Sequence, residues 1–248
     1  MEINWPLIIV LFSLSIPGIV ITIPRLIHFL LKQNSQELQK RISTMATIQT
    51  LLMAFIMCFA GTIIATKTGL RASPLDSLIQ GQPVFAEIQE FILPLILYTL
   101  LAIVIFCLLY YGIGSSFLDE KTITTMTEMR AAIKADGCIL YNGMTEEIFA
   151  RFGLMNLIAF FSILFYGQKT MAIFWMSAFL SGLLYGASQL PAYIAAGCVS
   201  SRRFIYIILL IYTSQALIFG WLYWQYGLVA AIISHMLFHI FWYIYHKV

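Results

Sequence analysis

The sequence predicts an all-α protein threaded through a lipid bilayer, and three observations carry that prediction. Of 248 residues, 61% are hydrophobic and only 10% are charged, whereas an ordinary soluble domain carries roughly 25% charged residues. Mean hydropathy is +0.90. Apolar runs close to the ~20 residues that a spanning helix needs recur seven times, separated by short polar stretches.

The first run, Ile3 to Ile23, contains Pro17, an expected kink. A basic stretch from Arg25 to Arg41 follows, then a second span from Ser43 to Ala65. Lys67 to Glu90 reads as a loop outside the hydrocarbon, punctuated by Pro74, Gly81 and Pro83. The third span runs from Phe91 to Gly112. Residues Leu118 to Asp136 are charged but carry Ile123, Met126, Met129 and Ile133 at near-helical spacing, which predicts an amphipathic helix on the membrane surface, with an ordinary solvated linker helix as the alternative. Tyr141 to Tyr166 forms the fourth span and Thr170 to Leu190 the fifth, ending before Pro191. The small apolar piece Ala192 to Ser201 reads as a continuation of the fifth span or a re-entrant segment. Phe204 to Trp221 is the sixth span, Trp221 to Gly227 an aromatic turn at the interface, and Leu228 to Tyr245 the seventh. Two regions result: 1–140, membrane helices and a surface helix, and 141–248, core helices that carry the motifs discussed below.

Charge and cysteine content exclude several function classes. A net charge of +3 without a basic block gives no reason to expect nucleic acid. The four cysteines, Cys58, Cys107, Cys138 and Cys198, lack CxxC spacing and mostly sit in apolar runs, as small buried hydrophobes do. No Lys or Arg precedes Ile3, so the start does not read as the basic region of a cleaved signal peptide. Ten of the 14 Lys and Arg fall on one side of the seven-span topology, in Arg25–Arg41, Lys121–Lys134, Arg202–Arg203 and Lys247. The positive-inside rule then puts the N-terminus outside and the C-terminus in the cytoplasm of an integral protein of the cell membrane.

Within the fourth span, Glu146, Glu147 and Arg151 interrupt an otherwise apolar run. Each charge costs ~2.5–3.5 kcal/mol at membrane depth, so such residues are usually functional. Glu147 and Arg151 stand at i and i+4 in the favourable order for an ion pair. Glu146 lies about 100° round the helix. Glu147 with Arg151 reads as a neutralising brace, and Glu146 as the working carboxylate. Tyr185 and Gln189 share a face of the fifth span, His235 and His239 a face of the seventh. At 1.5 Å per residue, Glu146 lies roughly 7 Å, His239 roughly 9 Å and His235 roughly 15 Å below the cytoplasmic surface, and Gln189 of the fifth span lies within a turn or two of it. A common depth reached from three helices predicts one cavity in which a carboxylate activates water and an imidazole or amide stabilises an oxyanion.

These residues resemble a known family. Glu146-Glu147-x-x-x-Arg151 is similar to the EExxxR motif of the CPBP intramembrane proteases, the CAAX-protease and bacteriocin-processing or Abi family. Gly220-Trp221-Leu222-Tyr223 and His235-x-x-x-His239 resemble its last block, an aromatic turn followed by HxxxN or HxxxD. Leu184 to Pro191 falls where the family has FxxxH. The resemblance implies an intramembrane endopeptidase acting by glutamate-activated water, with Glu146 catalytic and His235 in the oxyanion site. Glu147, His239 and Gln189 complete the candidate catalytic group, with Arg151 and Tyr185 orienting it. Gln189 replaces the motif histidine, Tyr185 its Phe, and His239 the final Asn or Asp.

The expected partners are a peptide or protein substrate and the bilayer, with neither cofactor nor metal. The alternative is an inactive CPBP scaffold that binds a membrane protein partner through the same groove. A His₂Glu zinc site built on His235 and His239 ranks lower, because no HExxH is present. A transporter ranks lowest, without an internal repeat or a pair of broken helices.

Overall fold

The computed structural model describes residues 3–245, so Lys247 of the charge count lies outside them. The described chain is a bundle of α1 (Trp5–Leu30), α2 (Gln36–Thr68), the short α3 (Leu75–Ile79), α4 (Phe85–Phe117), α5 (Glu120–Tyr166), α6 (Met171–Ala196), α7 (Arg202–Tyr226) and α8 (Leu228–Tyr245). All but α3 are long and apolar enough to cross a membrane, which makes seven such helices among the described residues. No strand occurs among them.

Helix starts follow the local chemistry. Asn4, Ser35, Asp119, Thr170 and Ser201 each cap the following helix by accepting a backbone N–H. Helix α5 is the axis of the bundle and packs against α1, α2, α6 and α8. Phe152, Phe219 and Tyr223 are fully buried at its centre. On the outside, Leu93, Leu97, Leu100, Val104 and Leu108 form an exposed stripe along α4 at three- and four-residue spacing, the surface that lipid would cover.

The charged stretch from Leu118 to Asp136 is helical, as its spacing predicts, and forms the first arm of α5, whose buried face (Met126, Met129, Ile133) packs inward over the bundle. A kink at Lys134, where φ is 67° and ψ 171°, sets this arm off from the rest of α5. Such a conformation costs ~1–3 kcal/mol and needs external support. Arg25 supplies it, donating to the Ile133 carbonyl at 2.8 Å and to both Asp136 oxygens at 2.5 and 2.8 Å.

Three details depart from the sequence reading. Pro191 does not end the fifth span, and of the two readings of the piece after it continuation holds as far as Ala196. Helix α6 continues through it to Ala196 and stops at Gly197, whose φ of 109° suits glycine. The predicted aromatic turn is helical and forms the last part of α7. Trp221 stacks on Tyr98 at 4.3 Å, Trp224 on Phe174 at 4.8 Å, and Leu222 and Tyr223 are buried. Lastly, the fourth span is not a regular α-helix: Cys138–Thr145 and Ile148–Met155 are π-helical.

Candidate active site

The two glutamates stand between the two π-helical stretches of α5. Such stretches are rare and frequently mark functional sites, because the wider turn re-aims side chains that an α-helix would space evenly. Close approach of α8 completes the geometry. A Cβ on Gly143 would lie 2.8 Å from the Met236 Cα, so glycine at this position is what lets the α8 backbone come so near.

Glu147 is completely buried and doubly engaged. Its Oε1 takes the His235 Nδ1 at 2.7 Å, and its Oε2 faces the Arg151 Nε at 3.3 Å. A carboxylate can only accept, so Nδ1 of His235 carries a proton and Nε2 is left toward the cavity. The expected ion pair with Arg151 is present, but the His235 bond goes beyond it. His235 touches Glu147, the residue read as a brace, and not Glu146. Nothing in one sequence says which of two adjacent glutamates a histidine 88 residues later will meet.

Glu146 is 6% exposed and has no ion pair among the described residues. Beside it stands the Tyr185 hydroxyl, close enough to interact but outside ordinary hydrogen-bond geometry. Gln189 is half-buried at the edge, with its Nε2 3.4 Å from the neighbouring Ser188 hydroxyl. His239 stacks on His235, ring centroids 4.9 Å apart, and both its ring nitrogens are buried without a hydrogen-bond partner.

One cavity of about 130 Å³ brings these residues together: Glu146, Glu147, Arg151, Tyr185, Gln189, His235 and His239 all line it. That is room for several waters. Its unsatisfied polar atoms also include the Gln215 Oε1, the Thr22 hydroxyl and the whole Arg130 guanidinium. A partly open cavity edged by so many unspent donors and acceptors is suited to hold water or a polar ligand. No group of three or more His, Cys, Asp and Glu among the described residues could hold a metal ion, and the His235 nitrogen nearest Glu147 is already bonded.

Sequence reasoning missed Arg130 and Trp242. The signal for Arg130 was available: it stands four residues after Met126 and three before Ile133, so it shares the face that turns inward. It also missed the buried Asn156, which accepts from the Thr68 hydroxyl at 2.5 Å and donates to the Leu70 carbonyl at 3.1 Å and to the Tyr223 hydroxyl at 3.0 Å.

Compared with known proteins, residues 136–241 match the family model described as type II CAAX prenyl endopeptidase, Rce1-like. No curated protein and no solved structure matches the chain. The matched segment holds every candidate named from the sequence, from Glu146 to His239, and the family is one of proteases. Residues 136–241 are thus similar to the Rce1-like type II CAAX prenyl endopeptidases, a similarity consistent with the CPBP family.

Proposed function

We propose that the protein is an intramembrane endopeptidase that cleaves a peptide or protein substrate near the cytoplasmic face of the cell membrane, using water activated by Glu146. The N-terminus then lies outside and the C-terminus in the cytoplasm. What supports the assignment of Glu146 is the unequal engagement of the two glutamates. Glu147 is held by His235 and Arg151, while Glu146 faces the cavity with no ion pair among the described residues. A base must keep its lone pairs for the proton it abstracts.

In the proposed reaction, water attacks the scissile carbonyl as its proton passes to Glu146. The C–N bond then breaks and that proton goes to the leaving amine. His235, its Nδ1–H anchored on the Glu147 carboxylate, turns Nε2 to the cavity. With a second proton on Nε2 it would donate to the developing oxyanion. His239 and Tyr185 offer further donors at the same wall. Gln189 holds the water through its amide without sharing the proton.

A second reading, an inactive scaffold that binds a membrane protein through this cavity, is favoured by one feature: Gln189 stands where the resembling motif has histidine. General acid–base assistance is worth about 10²–10⁴-fold. The expected outcome is slow cleavage of a prenylated peptide by the wild type in nanodiscs, faster cleavage by Gln189→His, and none by Glu146→Gln. Were Gln189→His as inert as Glu146→Gln while a partner is still captured, the scaffold would replace the peptidase.

A further inference from the structure

One wall of the cavity carries a charge for which the proposed chemistry has no use. Arg130 is 9% exposed, yet its Nε, Nη1 and Nη2 are all buried without a hydrogen-bond partner among the described residues. Its guanidinium carbon lies 3.3 Å from the centre of the Trp242 ring. That indole is fixed in turn, its Nε1–H donating to the Tyr111 hydroxyl at 3.1 Å. The other groups facing Arg130 are the Cys138 thiol and the Tyr110 and Tyr111 hydroxyls, with His239 close by. No carboxylate forms an ion pair with it among the described residues. A cation buried this deeply is costly unless an anion joins it, and the ring beneath it offsets only part of that cost.

Position narrows what the anion is. His235, His239 and Trp242 follow one another along one face of α8, and all three line the cavity. From His235 to Trp242 the helix rises about 10 Å, which is the reach of about three extended residues. A short extended peptide with its reacting carbonyl between Glu146 and His235 would thus bring its end to Arg130. The fork of an arginine matches a carboxylate in two parallel hydrogen bonds. Arg130 and Trp242 both lie just outside the matched residues 136–241.

We propose that Arg130, seated on Trp242, is a carboxylate-binding subsite of this cavity and takes the free C-terminal α-carboxylate of the peptide substrate. The identity of that ligand as a peptide rests on the function proposed above. The subsite makes the protein a reader of chain ends: a peptide whose terminus is amidated leaves the guanidinium buried and unpaired.

The test measures binding apart from turnover. Two prenylated heptapeptides, one with a free C-terminal carboxylate and one amidated, are titrated by fluorescence anisotropy into Glu146→Gln protein in phosphatidylcholine nanodiscs. The acid should bind about 10–100-fold tighter than the amide, as expected for paired hydrogen bonds between charged groups. Adding Arg130→Gln should bring the ratio to about one without weakening the amide. Arg130→Lys, which keeps the charge should the glutamine variant not fold, should give an intermediate ratio. Equal binding of acid and amide, a ratio that survives both Arg130 variants, or no binding of either peptide would overturn the subsite. So would a ratio that vanishes without any Arg130 variant when anionic lipid is added, since a lipid phosphate would then be the ligand. Cleavage by wild-type protein is followed in parallel. Acid preference without cleavage would keep the subsite and remove the peptidase, whereas cleavage of acid and amide with equal kcat/KM would do the reverse.

Discussion

Helix α5 carries two buried polar clusters of opposite character about ten residues apart. Around Asn156 the hydrogen bonds close on themselves: Thr68 donates to Asn156, Asn156 donates to Leu70 and Tyr223, and Tyr223 donates to the same Leu70 carbonyl at 2.9 Å. Around Glu146 the donors and acceptors outnumber their partners, and Arg130, Tyr185, Gln215 and His239 keep polar atoms unspent. Both clusters pay for desolvation, but only the first recovers it within the protein. The lesson is that burial of polar groups by itself does not mark a site. What marks it is burial without satisfaction, next to a cavity.

Between these extremes lies Glu147, whose Oε1 is bonded to His235 while its Oε2 meets Arg151 in an ion pair without a hydrogen bond. The largest stability effect is expected there. Arg151→Ala leaves a fully buried carboxylate with His235 as its remaining partner, a loss of about 3–5 kcal/mol. Thermal unfolding in detergent checks it, and an unchanged melting temperature with lost function would show that Arg151 belongs to the chemistry.

At the satisfied cluster, Asn156→Ala orphans parts of Thr68 and Tyr223 and should cost about 1–3 kcal/mol, with cleavage unaffected in the protein that stays folded. Glu146→Gln should behave in the opposite way, leaving the melting temperature unchanged while removing activity. If Asn156→Ala also changed kcat at full folding, the contrast between the two clusters would fail.

The smallest effect concerns the start of α5. Asp119 accepts from the Thr122 N–H at 2.8 Å and the Thr122 hydroxyl at 2.7 Å, and these bonds hold its carboxyl below the usual 3.8. A depressed folded-state value means that the cap contributes above the unfolded pKa and is lost as pH falls through the folded one. Amide protection in the first turn of α5 should therefore decline only below about pH 3.8. In Asp119→Asn, which caps without titrating, protection should not change with pH.

Much of the site was legible in sequence for a simple reason. A charge inside an apolar run is visible one residue at a time, so Glu146, Glu147 and Arg151 stood out, and the i,i+4 spacing already paired the last two. His235 with His239 and Tyr185 with Gln189 were legible as shared faces. Arg130 escaped because charged residues surround it in sequence, and only its face, shared with Met126 and Ile133, distinguished it. Asn156 escaped because a single amide in a helix announces nothing until its partners on α2 and α7 are known.

The sequence alone determined the seven spans, their all-α character and the three motif blocks, because hydrophobic length and helical spacing are local properties of the chain. The helical end of the aromatic stretch 221–226 was decided by tertiary structure, where it packs against α4, α6 and the loop after α2. The bend at Lys134 was decided in the same way, by an arginine 109 residues earlier in the chain. So was the partner of His235. Gly143 admits the α8 backbone at one height, and the π-helical turns on either side set which glutamate faces it there. Contacts between residues so distant in sequence depend on how helices register against one another, and that registry exists only once the bundle is packed.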